Sequence, residues 1–226
     1  MLQCSDMNTR ARARELAAEY CAKGDPTGWF EQLYREAEKG AARIPWADHE
    51  PNPSLIEFWK KHPIASAGKR ALNVGCGLGD DAEQLAAWDF ETTAFDISPS
   101  AIEACNRRFP GTKVRFVVAD LLNPPDQWPK RFDFVLESYT LQALPQSIRN
   151  EALRRIAGFV SEGGRLLLIT RGREEHDESR AMPWPLTRRE LEILNTAGLE
   201  ELSFEDYFDN ETPPVRRFRV LYQRRR

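Results

Sequence analysis

In Ala71-Leu72-Asn73-Val74-Gly75-Cys76-Gly77-Leu78-Gly79-Asp80-Asp81, a short apolar strand runs into three alternating glycines and then into a helix that opens on two aspartates. Glycine has no Cβ, so such a turn brings bare backbone against a ligand while the first N–H groups of the helix point at it. Alone the turn is a weak signal. It gains weight from Asp96, which closes the next strand 21 positions after Gly75, where a carboxylate accepts hydrogen bonds from both hydroxyls of a ribose. The plainer alternative is a tight strand-to-helix turn beside a solvated aspartate.

Outward from this turn, strand-like runs at 71–74, 92–95, 114–119, 132–136 and 165–170 alternate with helical patterns at 81–87, 100–108 and 147–159. That alternation predicts right-handed βαβ crossovers and a parallel sheet with helices on both faces. A further helix is expected over 186–197. Two strand-like runs, 201–208 and 216–223, are joined through Pro213-Pro214 without a helix, which predicts an antiparallel hairpin at the sheet edge. The expected fold is α/β and Rossmann-like: a doubly wound, mostly parallel seven-stranded sheet occupying 68–226.

Residues 1–67 read differently. Helical patterns at 9–21 and around Trp29, Phe30, Leu33, Tyr34 and Ala37 lead into a proline-rich loop, 44–53, and a short helix, 55–60. This segment is expected to form a helical lid, with Trp29, Tyr34, Trp46 and Asn52 above the ligand; ordinary packing is the competing role for the aromatics.

Composition narrows the function. With 32 Lys+Arg against 35 Asp+Glu, the 226-residue chain lacks the strong positive field of a general nucleic-acid binder. Its 41% apolar and 30% charged residues suit a packed core and not a disordered chain. No apolar run reaches the roughly 18 to 20 residues a membrane span needs, and the arginines of 1–14 precede no apolar stretch, so a cytoplasmic protein is expected. Cys4, Cys21, Cys76 and Cys105 form no C-x-x-C pair, and His49, His62 and His176 are scattered, so no metal site is expected. Cys76 reads as a small filler of the glycine loop.

A dinucleotide loop would place its third glycine one residue after Gly79. From about residue 68 to 223 the chain instead resembles the class I S-adenosylmethionine-dependent methyltransferases. The resemblance implies that Gly75, Cys76, Gly77 and Gly79, with Asp81, embrace the cofactor's methionine and ribose portion. It implies that Asp96 with Ile97 holds the ribose, and that Asp120 with Leu121 contacts the adenine. The fourth strand end, Glu137-Ser138-Tyr139, would face the sulfonium. Asn73 departs from the pattern, standing where the family often has an acidic residue; it accepts a hydrogen bond but forms no ion pair.

Ligands of an open parallel sheet lie at the C-terminal strand ends, so Asp96, Asp120, Glu137, Tyr139, Arg171 and Arg173 are expected on one rim. Three roles stand for Glu137: cofactor positioning, general base, or mere solvation. Tyr139 either stacks near the methyl group or packs. Arg171 and Arg173 hold an anionic substrate or belong to a solvated loop, and Trp184, between two prolines, is a pocket wall or a packing residue.

The expected activity is methylation of a small molecule, with no membrane or nucleic-acid partner, by a monomer or homodimer. A loose resemblance of Pro183-Trp184-Pro185-Leu186-Thr187 to the thiopurine and tellurite-resistance branch points to a thiol or chalcogen acceptor. One alternative is an RNA or protein methyltransferase docking through Arg216, Arg217, Arg219 and the terminal arginines. Another is a non-catalytic regulator that binds the cofactor.

Overall fold

The computed structural model describes residues 3–179 and 181–225, with side chains from Arg10 onward. Among these residues seven strands form one sheet: β1 (Arg70–Val74), β2 (Glu91–Asp96), β3 (Arg115–Val118), β4 (Phe132–Ser138), β5 (Val160–Arg171), β6 (Leu199–Phe208) and β7 (Arg216–Arg224). Their order is β3-β2-β1-β4-β5-β7-β6. The first five run parallel, and β7 inserts antiparallel between β5 and β6. Strand order reverses between β1 and β4, the place where doubly wound sheets open a ligand crevice.

The hairpin is found where expected, but its second strand lies inside the sheet. This placement overturns the idea of an exposed arginine strip. Phe218, Val220 and Tyr222 face one side of the sheet, so Arg217 and Arg219 face the other, and both are only 2% exposed. Arg216 pairs with Asp206 and Glu174, and Arg225 with Glu200. Arg226 and the Cys4 side chain lie outside the described residues.

Among the described residues seven α-helices accompany the strands: α1 (Gln3–Ala22), α2 (Gly28–Glu38), α3 (Pro53–Lys61), α4 (Asp80–Ala87), α5 (Pro99–Arg108), α6 (Gln146–Phe159) and α7 (Arg188–Thr196). Central strands are buried on both faces, which is why they read as nearly continuous apolar runs. Leu72, Val135, Leu166 and Leu168 pack toward α6 and α7. Ala71, Phe134, Leu136, Leu167 and Ile169 pack toward Leu55 and Phe58 of α3 and Leu85 of α4. Helix α5 starts on Ser98, whose hydroxyl accepts the Ala101 N–H with proline next in line, and α7 starts on a Thr187/Glu190 capping box.

Helices α1 and α2 form their own small core from Ala13, Leu16, Ala17, Trp29 and Leu33, closed by Ala143 and Met182. Strand β5 begins at Val160, five residues before the predicted start, because Val160 already pairs with Phe132 across an irregularity in register. Among the described residues no helix is long and apolar enough to cross a membrane, and no cluster of metal-ligating side chains is present.

Candidate active site

Strand β1 delivers the chain into Gly75, Gly77 and Gly79, all with positive φ (58°, 55° and 90°). At Gly75 a Cβ would lie 2.3 Å from the Thr140 hydroxyl oxygen, which itself donates to the Val74 carbonyl. At Gly79 it would lie 2.9 Å from the Phe116 ring. The loop therefore packs backbone against the β4 end on one side and leaves its other side bare.

That bare side borders a cavity of about 1040 Å³ whose wall includes Asn73, Gly77, Asp96, Asp120, Tyr139 and Trp46. Asp96 is buried, with Oδ2 accepting the Gly77 N–H and Oδ1 the Ser98 N–H, each at 3.0 Å. Burial pushes its carboxyl up to about 6, against the pull of these backbone donors. Each oxygen keeps a lone pair for a hydroxyl arriving from the cavity. Asp120, on the same wall with Ile97 and Leu121, turns Oδ1 to the Leu122 N–H at 2.8 Å.

Asn73 is 2% exposed and its Oδ1 has no hydrogen-bond partner among the described residues. An orphaned buried acceptor beside the glycine loop fits a ligand that brings a donor, such as an ammonium group. Cradle, carboxylate and orphaned acceptor together suit S-adenosylmethionine.

Asp81 borders the cavity and also anchors its rim. Its Oδ1 accepts the Asn52 N–H at 2.7 Å, and the Asn52 amide donates to the Ser138 hydroxyl at 2.8 Å. Burial pushes the Asp81 carboxyl up to about 6. The triangle ties the end of the proline-rich loop to α4 and β4.

Glu137 is not on the cavity wall. Side chains alternate along β4, so Ser138 faces the cavity while Glu137 is fully buried on the α6 side. Its Oε1 accepts the Leu141 N–H at 2.8 Å, and Oε2 has no partner among the described residues. Contact with substrate or cofactor, expected from the sequence, is therefore not what the fold provides; Glu137 supports the short 3-10 turn Leu141–Ala143.

Burial pushes the Glu137 carboxyl up to about 8, so below the unfolded value near 4.5 it costs nothing to fold neutral. Stability is then lost as pH rises from about 4.5 to about 8. Glu137→Gln mimics the neutral form and is expected to flatten that loss. Urea unfolding at pH 5 and pH 8 should show a stability gain of the variant at pH 8 of about 1–3 kcal/mol relative to pH 5. Parallel pH profiles of the two proteins would refute this.

Arg171 and Tyr139 line the cavity, but Arg173 and Trp184 do not. Arg173 donates to the carbonyls of Pro185, Glu174 and Asp177, so it braces its own loop. Trp184 packs on the α1–α2 core and donates its backbone N–H to the Gln142 carbonyl; its neighbours Met182 and Pro183 reach the cavity instead. Cys76 is buried against Ala82, Ala94 and Cys105 and also borders the cavity.

Over the glycine loop, the Trp46 indole N–H donates to the Tyr34 hydroxyl at 2.9 Å, and both rings border the cavity. Trp29 is fully buried, stacked on Phe30, and so packs the interior of the α1–α2 core. Glu31 was not legible as a site residue. Its carboxylate accepts the hydroxyls of Ser98 and Ser100 and the Ser100 N–H, fastening α2 to the start of α5. Burial works against the charge, yet these donors and Arg35 hold Glu31 below the usual carboxylate range.

Because the Ser98 N–H also donates to Asp96, the latch joins α2 to the Asp96 carboxylate. Glu31→Ala should cost about 1–3 kcal/mol in urea unfolding and raise the KM for the cofactor. Unaltered stability and KM would show that α2 is held by packing alone.

Residues 71–164 match the family model of a methyltransferase domain. The chain is 31% identical over 127 residues to the ubiquinone biosynthesis O-methyltransferase of Dechloromonas aromatica, covering 55% of this chain and 53% of that protein. It thus spans about half the length of that relative. A probable thiol methyltransferase 2 of Arabidopsis thaliana is 24% identical over 201 residues, with 86% of this chain and 83% of the relative covered.

Among solved structures, 1,6-didemethyltoxoflavin-N1-methyltransferase of Burkholderia thailandensis superposes with a TM-score of 0.66 at 17% identity, covering 87% of this chain and 86% of that one. That structure holds 1,6-didemethyltoxoflavin and S-adenosylhomocysteine. The segment similar to a methyltransferase domain contains the glycine loop, Asp96 and Asp120, and the sheet order is that of the superposed methyltransferase fold.

Proposed function

We propose that the chain transfers a methyl group from S-adenosylmethionine to a small-molecule acceptor, with a thiol or comparable chalcogen as nucleophile. The observation that carries this is the cavity itself, which continues from the glycine loop and Asp96 into a space bordered by Tyr139, Tyr207 and Arg171 beneath Trp46. The cofactor supplies a methyl group made electrophilic by its positively charged sulfur. Asp96 holds the ribose hydroxyls, Asp120 receives the adenine side, and Asn73 Oδ1 accepts from the ammonium.

Residues 1–67 act as the lid. Tyr34 and Trp46 exclude water over the glycine loop, and the Asp81–Asn52–Ser138 contacts hold the adjoining segment in place. Alignment and dryness are what a displacement at an activated carbon asks of a protein. No histidine borders the cavity and Glu137 lies off its wall, a layout suited to a nucleophile that needs little base assistance, as a thiol does. Support for the acceptor comes also from the thiol methyltransferase likeness.

The test is turnover of methyl-labelled S-adenosylmethionine with matched thiol, phenol and amine acceptors. Transfer to the thiol at the highest kcat/KM is expected. Preference for the phenol would move the acceptor to oxygen, and cofactor binding without transfer to any acceptor would leave a regulator.

A further inference from the structure

The β5–β7 side of the cavity carries a positive charge for which cofactor binding has no use. Arg171 and Arg217 are directly opposed in the antiparallel ladder, so both guanidinium groups leave the same face of the sheet and both border the cavity. Like charges placed opposite each other on neighbouring strands repel. Arg217, 2% exposed, donates to Asp209 and Glu211, yet its Nη1 has no partner among the described residues.

Arg171 is served even less. Its side chain makes no hydrogen bond among the described residues; Nε is buried without a partner, and Glu211 stands 3.8 Å away. Arg10 approaches the same Glu211 at 3.3 Å. Three guanidinium groups share two carboxylates, which leaves one positive charge. Burial, with Arg217 and Arg10 adding to it, lowers the Arg171 pKa to about 10, the mark of a cation short of counter-charge.

The corner is close to the transfer position. The Arg217 guanidinium sits 4.4 Å from the Tyr139 ring centre, and the next residue, Thr140, is the one that abuts Gly75. We propose that the acceptor carries a carboxylate that docks between Arg171 and Arg217, which points its nucleophile past Tyr139 toward the glycine loop. One leftover positive charge matches a monoanion, and two guanidinium edges on one face match a planar, forked acceptor. Arg173, the partner expected for Arg171 from the sequence, is replaced in this role by Arg217.

The proposal rests on the methyltransferase reading for the site's location, and its test is arranged to fail separately. The probes are 4-mercaptobenzoate and 4-mercaptobenzamide, alike in size and differing in charge. Binding of each to the protein saturated with S-adenosylhomocysteine is measured by calorimetry, and kcat/KM for methyl transfer is measured alongside. Wild type should bind the carboxylate at least about tenfold more tightly than the amide, and Arg171→Gln should bring that ratio close to one. Arg171 is the variant of choice because removing Arg217 strips Asp209 of its partner and endangers the fold.

Equal binding of the two probes, or a preference untouched in Arg171→Gln, overturns the proposal. Charge-selective binding with no turnover of either thiol sustains the carboxylate site while refuting thiol transfer.

Discussion

Asp96→Ala should weaken S-adenosylhomocysteine binding by about 1.5–3 kcal/mol, roughly 10- to 150-fold in Kd, because a charged acceptor for two hydroxyls is lost. The loss has a second source in this fold. Both Asp96 oxygens already receive backbone N–H groups, one from Gly77 in the glycine loop and one from Ser98 at the start of α5. Removing the carboxylate therefore loosens the loop that cradles the cofactor.

For the same reason Asp96→Asn is no gentle substitute. Whichever way the amide is turned, its NH₂ meets a backbone donor, so its affinity should fall nearly as far as that of the alanine variant. Calorimetry on both variants, with far-ultraviolet dichroism to establish folding, decides the matter. Wild-type affinity in folded Asp96→Ala would remove the ribose from this carboxylate.

Gly75→Ala is expected to lower stability by about 2–4 kcal/mol. A non-glycine residue at φ 58° costs about 1–2 kcal/mol, and the new methyl would stand 2.3 Å from the Thr140 hydroxyl and 2.8 Å from its methyl. Relief requires Thr140 to turn away and give up its hydrogen bond to the Val74 carbonyl, about another 1 kcal/mol. Adding Thr140→Ala should recover part of the loss, so the double-mutant cycle gives a favourable coupling of the two substitutions. Urea unfolding of the four proteins measures it. Additive effects, or a stable Gly75→Ala, would mean that loop and β4 end do not touch in this way.

Much of the fold was legible because its signals are local. Continuous apolar runs marked the inner strands, the alternating glycines marked the turn, and a carboxylate at the end of β2 is a fixed distance in sequence from that turn. What could not be read depends on which face of a strand is covered. Arg217 and Arg219 look like solvent residues of an edge strand, and only the insertion of β7 between β5 and β6, under α3, turns them inward.

The same ambiguity separates Glu137 from Ser138. A strand end identifies both, but the pleat sends one to the cavity and buries the other. Glu31 and Arg10 act through partners far away in sequence, Ser98 and Glu211, and no spacing rule connects them. Arg173 and Trp184 show the opposite case: residue types suited to a ligand, consumed by their own loop and by the lid core.

Titration calorimetry of the unmodified protein with S-adenosylhomocysteine, and separately with NAD, addresses the cofactor on which everything else depends. One molecule of S-adenosylhomocysteine should bind per chain, with no heat from NAD. Saturable binding of NAD and none of S-adenosylhomocysteine would contradict the account.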